Sequence, residues 1–234
     1  MDIAAHVRRI ARDRTIRLVA TARLRDPVLL KLIEKDDLAA LEEIEGATSG
    51  RLWAQARGAD RLDSRELVYG ISHAHFINAA FSYWLPRSLN RFNGPGRGAW
   101  YAALDLDTCV AEVSFHMERE LANVSDFNAT VYYAELYASV IGDFVDVRDA
   151  RPAPRFLDPN PNKSYEAGNH FAEAVRAAGH YGIVYPSLRR SGGTCLVVLV
   201  PHAVQSVTQG RVIRLAWTGS PGPAASEIDT TTAH

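Results

Sequence analysis

Arg91, Asn93, Arg97, Tyr101 and Glu112 fall within the stretch RFNGPGRGAWYAALDLDTCVAEVSFH, residues 91–116, and together they offer a chemistry. Arginine presents a planar fork of donors suited to phosphate, and Gly94, Gly96 and Gly98 let backbone N–H groups come close to a ligand. An aromatic face at Tyr101 can stack on a planar heterocycle. A carboxylate at Glu112 can accept from a ribose hydroxyl and stabilise positive charge developing at an anomeric carbon. The same residues also suit a glycine-rich hairpin with hydrated arginines, a core tyrosine, and a glutamate that complements a helix dipole. The G-x-G-x-G spacing resembles part of a dinucleotide fingerprint, but a strand follows it instead of a helix, which excludes a Rossmann turn.

Further along, YPSLRRSGG places Ser187 in a turn ahead of Arg189 and Arg190. No G-x-S-x-G elbow surrounds it, so its hydroxyl is read as a hydrogen-bond donor to a ligand or as the closure of a turn, not as a nucleophile. Glu112 with His116, and His73 with His75, are too few to hold zinc, and no metal site is expected. Cys109 and Cys195 lie far apart in apolar contexts, which argues against a disulfide framework and places Cys195 in a core.

These side chains need elements to hold them. Ala99 to Leu104 reads as a buried strand, and Asp105 or Asp107 as the cap of a helix from near Thr108, with Val110, Val113, Met117 and Leu121 as its apolar stripe. Leu67 to Ile71 is β-compatible, and Phe76 to Trp84 suits a short helix. Thr130 to Tyr137 and Val140 to Val147 read as two strands around a Gly142-Asp143 turn. RPAPRFLDPNPNK, with four prolines, is a loop. Ser164 is expected to cap a helix that Gly179 ends, and YGIVYPS, TCLVVLV and RVIRLAW are strands. The economical architecture is α+β with a mixed, largely antiparallel sheet.

Two outlying regions carry separate expectations. From Val7 to Arg25 there are seven arginines and one acid, whereas Glu34 to Glu45 holds six acids and one lysine. Apolar residues at roughly helical spacing assign residues 1–60 to a helical extension whose basic and acidic faces pair, ahead of a domain at 61–217. Residues 218–234 have little to bury and are expected to be disordered. A net charge of -1 and a pI near 6.7 give no global field for nucleic acid or anionic lipid, so direct nucleic-acid binding is not expected. With no long apolar run, the chain is expected to be soluble and cytoplasmic, without membrane contact.

RFN…GAWYAA…AEVSFH, followed by SYEAGNHFAEAVRAAGHYGIVYPSLRRSGG, resembles the RES domain of bacterial toxin–antitoxin toxins over about residues 65 to 215. The resemblance implies a fold similar to ADP-ribosyltransferase toxins and consumption of NAD by cleavage of the nicotinamide–ribose bond, with phosphate or water as acceptor. It implies Arg91 as the motif arginine beside Asn93, Tyr101 as the nicotinamide-stacking aromatic, Glu112 as the catalytic carboxylate and Ser187 as the motif serine. Arg97 and Arg189 are added as phosphate donors. It also implies a helix-turn-helix antitoxin as partner, while a homo-oligomer is left open. Many members carry a further arginine on the first strand, where LVYGIS offers Tyr69 and Gly70, and Arg97, His73 or His75 are the candidates to substitute for it unless phosphate binding is weaker. The alternatives are a protein ADP-ribosyltransferase using the same residues, and a catalytically silent module that binds nucleic acid or a partner.

Overall fold

The computed structural model describes residues 2–21, 62–82, 84 and 89–228. In chain order they form Val7–Ala20 (β1), Ala74–Ser82 (α1), Trp100–Ala103 (β2), Leu106–Val124 (α2), Asn128–Asp146 (β3), Pro161–Ala177 (α3), Gly182–Pro186 (β4), Thr194–Val198 (β5), Val204–Thr218 (β6) and Ala224–Ile228 (β7). The strand order is β1-β2-β5-β4-β3-β6-β7, and β1 also pairs with β3, so five strands close a circuit. Every neighbouring pair is antiparallel except β3 with β4. The chain is therefore α+β with a mixed, largely antiparallel sheet, as expected.

Period-2 alternation divides the apolar side chains between two cores. Trp100, Ala102, Leu136, Phe144 and Val198 pack with Ile77 and Phe81 of α1. On the other face, Ile183, Tyr185, Val197 and Leu215 pack with Cys109 and Leu121 of α2 and with Ala172 and Val175 of α3. Because Tyr101 and Ala103 alternate with Trp100 and Ala102, Tyr101 points to the side where α2 and α3 lie.

The β2–α2 junction is tight. Asp105, with extended backbone, accepts from Thr108 N at 2.8 Å and from Thr108 Oγ1 at 2.8 Å, and this cap is worth about 1 kcal/mol. The helix thus begins directly at the end of β2 and carries Glu112 on its second turn. α3 approaches the 91–93 segment through Gly168, where any Cβ would collide with the Arg91 carbonyl.

Several expectations are corrected. Residues 7–20 are not helical: they are β1, paired with β3 from Val7↔Val145 to Ala20↔Tyr133. Thr15, Ile16 and Leu18 are buried while Arg8, Arg9, Arg12 and Arg14 are exposed, so inter-strand bonding to β3 overrides the helix-like spacing. The rest of the expected extension, residues 22–61, lies outside the described residues. Asn128–Asp146 is one strand rather than two, since Gly142 stays in the ladder with φ +151° and leaves room for the Tyr181 ring. Leu67–Ile71 is not a strand; the Asn78 amide satisfies Val68, accepting from its N at 2.9 Å and donating to its O at 2.8 Å. In the tail expected to be disordered, residues 224–228 form β7 on β6, a pairing the composition conceals because most of its side chains are exposed. Asn160, not Ser164, caps α3.

Candidate active site

Glu112 projects from α2 toward the β4–β5 connection, where the Ser187 hydroxyl donates to its Oε1 at 2.7 Å. Ser187 Oγ itself accepts from Arg189 N at 3.2 Å and Arg190 N at 3.1 Å, so its one proton is left for the carboxylate. Cys195 of β5 lies 3.6 Å from the same oxygen. Among the described residues Oε2 has no hydrogen-bond partner, and it is not sealed from solvent. No cationic side chain among them forms an ion pair with Glu112. The result is a carboxylate held by one oxygen, with its charge available to something else.

The RFN segment is the second wall. Arg91 is buried, and its Nη1 donates to Phe156 O at 2.6 Å, Asp158 O at 3.1 Å and Ser164 Oγ at 3.2 Å, while the guanidinium lies 5.3 Å from the Tyr165 ring centre. Asn93 receives the Tyr101 hydroxyl on Oδ1 at 2.9 Å, and Phe92 N donates to that hydroxyl at 3.0 Å. Burial pushes the Tyr101 phenol above its ordinary value, so it stays a neutral donor that ties β2 to the segment. Tyr185 joins the two walls: its ring stands 5.0 Å from Phe92, and burial together with the Cys195, Glu112 and Tyr101 groups raises its phenol.

Arg189 closes the third side. Its guanidinium lies 3.3 Å from the Phe115 ring centre, and Nη2 donates to Pro159 O at 2.9 Å. Burial pulls it below its ordinary value although the charge of Glu112 works the other way, and its Nε is buried without a hydrogen-bond partner. A cation held on an aromatic face with an unused donor is suited to an anion. Arg97, in contrast, is turned away from this group. It makes a bidentate pair with Glu66 at 2.9 and 2.6 Å and donates to Leu199 O at 2.9 Å. It helps line a cleft of about 350 Å³ between the 92–98 turn and α3, with His170 and Glu173 opposite. A second hollow of about 540 Å³ follows Arg151 to Phe156. Neither of these two is lined by Tyr101, Glu112 or Ser187.

The structure therefore brings Arg91, Asn93, Tyr101, Glu112, Ser187 and Arg189 to one end of the sheet and sets Arg97 apart. Sequence reasoning missed Ser164, Tyr165, Phe115 and Tyr185. A serine at a helix start reads as a cap, yet Ser164 is fully buried and bonded to Arg91. Arg17 of β1, the strand beside β2, donates to Tyr101 O at 3.1 Å, but its guanidinium lies 5.0 Å from the Trp100 ring centre, on the α1 side of the sheet and away from the Glu112 group. Among the described residues no three His, Cys, Asp or Glu side chains gather as a metal ligand set. No described helix is long and apolar enough to cross a membrane.

No curated protein matches the chain. A chain in the crystal structure of the M. tuberculosis MbcT–MbcA toxin–antitoxin complex is similar at 14% identity, covering 92% of this chain and 90% of that one with a TM-score of 0.47. The RES domain model matches residues 67–218, a span holding every residue of the Glu112 group and all strands but β1 and β7. With well over half its length matched, this chain belongs to the RES-domain family.

Proposed function

We propose that the chain is the toxin of a toxin–antitoxin pair and consumes NAD by cleaving the nicotinamide–ribose bond. The observation that carries this reading is Glu112, whose carboxylate is fixed through Oε1 to Ser187 yet has no ion-pair partner among the described residues. As the nicotinamide leaves, positive charge grows on the ribosyl carbon, and a preoriented carboxylate stabilises that charge without having to reorganise. The pyrophosphate would lie toward Arg189, which has a spare donor, and toward the electropositive surroundings of Arg91. Tyr101, its hydroxyl committed to Asn93, would present its ring to the nicotinamide. Phosphate or water then takes the ribosyl carbon. Membership of the RES family supports an antitoxin as partner, expected to be a helix-turn-helix protein, and a cytoplasmic site of action.

The decisive experiment identifies the product formed from NAD in phosphate buffer by the purified chain, with Glu112→Ala as control. Free nicotinamide together with ADP-ribose or its 1″-phosphate is expected from the wild type and absent from the variant. Label transferred from NAD to protein in a cell extract would instead reassign the acceptor, and unchanged NAD with and without phosphate would end the proposal.

A further inference from the structure

We propose that Cys195 is a positioning residue for Glu112, its thiol acting with the Ser187 hydroxyl to pin one carboxylate oxygen while the other faces substrate. This rests on reading Glu112 as the carboxylate that acts on NAD. Two donors from different places converge on Oε1: Ser187 Oγ from the turn after β4 at 2.7 Å, and Cys195 Sγ from β5 at 3.6 Å. Cys195 sits opposite Ala103 of β2 and Tyr185 of β4, and it is only 2% exposed. Its location is therefore set by ladder bonds on both sides, whereas Ser187 sits in a turn. A carboxylate held only by the turn can swing about its last torsion; a second donor on the same oxygen from a rigid strand removes that freedom.

The chemistry of the thiol suits this task. Burial first, and then the charge of Glu112, push the Cys195 thiol up, so the S–H proton stays in place as a donor. A thiol is a weak donor, which restrains the carboxylate without neutralising the charge that the reaction needs. The other cysteine shows a different assignment: Cys109 Sγ donates to the Ile16 carbonyl at 3.0 Å, a backbone acceptor in the core. If position 195 only required apolar volume, valine would fill it equally well.

The test compares Cys195→Val, which keeps the volume and removes the donor, with Cys195→Ser, which keeps a donor. NAD turnover by Cys195→Val is expected to fall about threefold to tenfold in kcat, the loss of one weak hydrogen bond to a charged group, with KM within about twofold. Cys195→Ser is expected to hold wild-type kcat. Independently of turnover, the infrared S–H stretching band that disappears in Cys195→Val is expected to move to higher frequency in Glu112→Gln, a weaker acceptor. Wild-type kcat in Cys195→Val, or an S–H band indifferent to Glu112→Gln, would overturn the inference. A protein that leaves NAD intact yet shows the band shift would retract the NAD reading and still support the thiol contact, so the two failures separate.

Discussion

Glu135 on β3 and Glu112 on α2 are both held by hydroxyl donors, and they differ in what the rest of the fold supplies. Glu135 is fully buried and receives Tyr137 OH at 2.6 Å, Arg211 Nε at 2.9 Å, Arg211 N at 3.2 Å and Arg211 Nη2 at 3.2 Å. Burial pushes its carboxyl up, but the hydrogen bonds from Arg211 and Tyr137 and the Arg211 charge outweigh it, so it lies below its ordinary value. The pair sits at the register shift where Ala134 and Leu136 face Val212 and Gln209, and Arg211 reaches on to Glu227 of β7 at 2.8 Å. Both oxygens of Glu135 accept from donors, and its charge is answered. Glu112 has donors on one oxygen and no ion-pair partner among the described residues. A saturated carboxylate joins strands together; an unsaturated one is left able to meet a developing cation.

That contrast is open to experiment. Glu135→Ala should give the largest change, a loss of about 3 kcal/mol in urea unfolding, because it empties a buried site and removes the charged acceptor of the Tyr137 and Arg211 hydrogen bonds, while activity per folded molecule is retained. If activity falls in proportion at unchanged stability, the two glutamates do not divide the work in this way. Glu112→Gln should show the opposite pattern: NAD turnover down about a hundredfold, near 2.7 kcal/mol of transition-state stabilisation, with the unfolding midpoint unmoved. Ser187→Ala should lower kcat about tenfold, since a hydrogen bond to a charged group is worth on the order of 1.5 kcal/mol. A larger rise in KM than fall in kcat would show that Ser187 serves the substrate directly.

The smallest and most distributed effect is with pH. Glu66, Glu135 and Asp146 are each held below their ordinary values, Glu66 by its hydrogen bond to Arg97 first, and Asp146, against the opposing push of burial, by Arg148. A carboxyl depressed in the folded state adds stability above its unfolded pKa and loses it as pH falls through the folded one. The melting temperature should therefore hold steady at neutral pH and drop below the ordinary carboxylate range. Glu135→Gln should shrink that drop. An undiminished drop in that variant would show that the Glu135 carboxylate does not hold the fold against acid.

Much of the site was legible because its parts are close in sequence. Residues 91–112 run through turn, strand, cap and helix, and Asp105 with its Thr108 partner makes that order readable from residue types alone. Arg97 was not legible: its type and place among glycines suit phosphate, but its partner is Glu66, outside the motif. The role of Ser164 was hidden for the same reason, since a serine near a helix start reads as a cap until Arg91 is seen to contact it. β1 misled because arginines and apolar residues at mixed spacing satisfy a helical template as well as a strand exposed along one half.

What the amino-acid order by itself determined here is local: the capped helix carrying Glu112, the buried strand carrying Tyr101, and the motif set that places the chain among RES domains. Those features follow from interactions across a few residues, which propensity and patterning record. Tertiary structure alone decided that the arginine-rich start is the strand beside β2, that β7 closes the far edge, and which of two arginines in one turn is bound by Glu66. Each of those outcomes depends on a hydrogen-bonding partner eight or more residues away, whose approach is set by the sheet register and leaves no trace in neighbouring residue types.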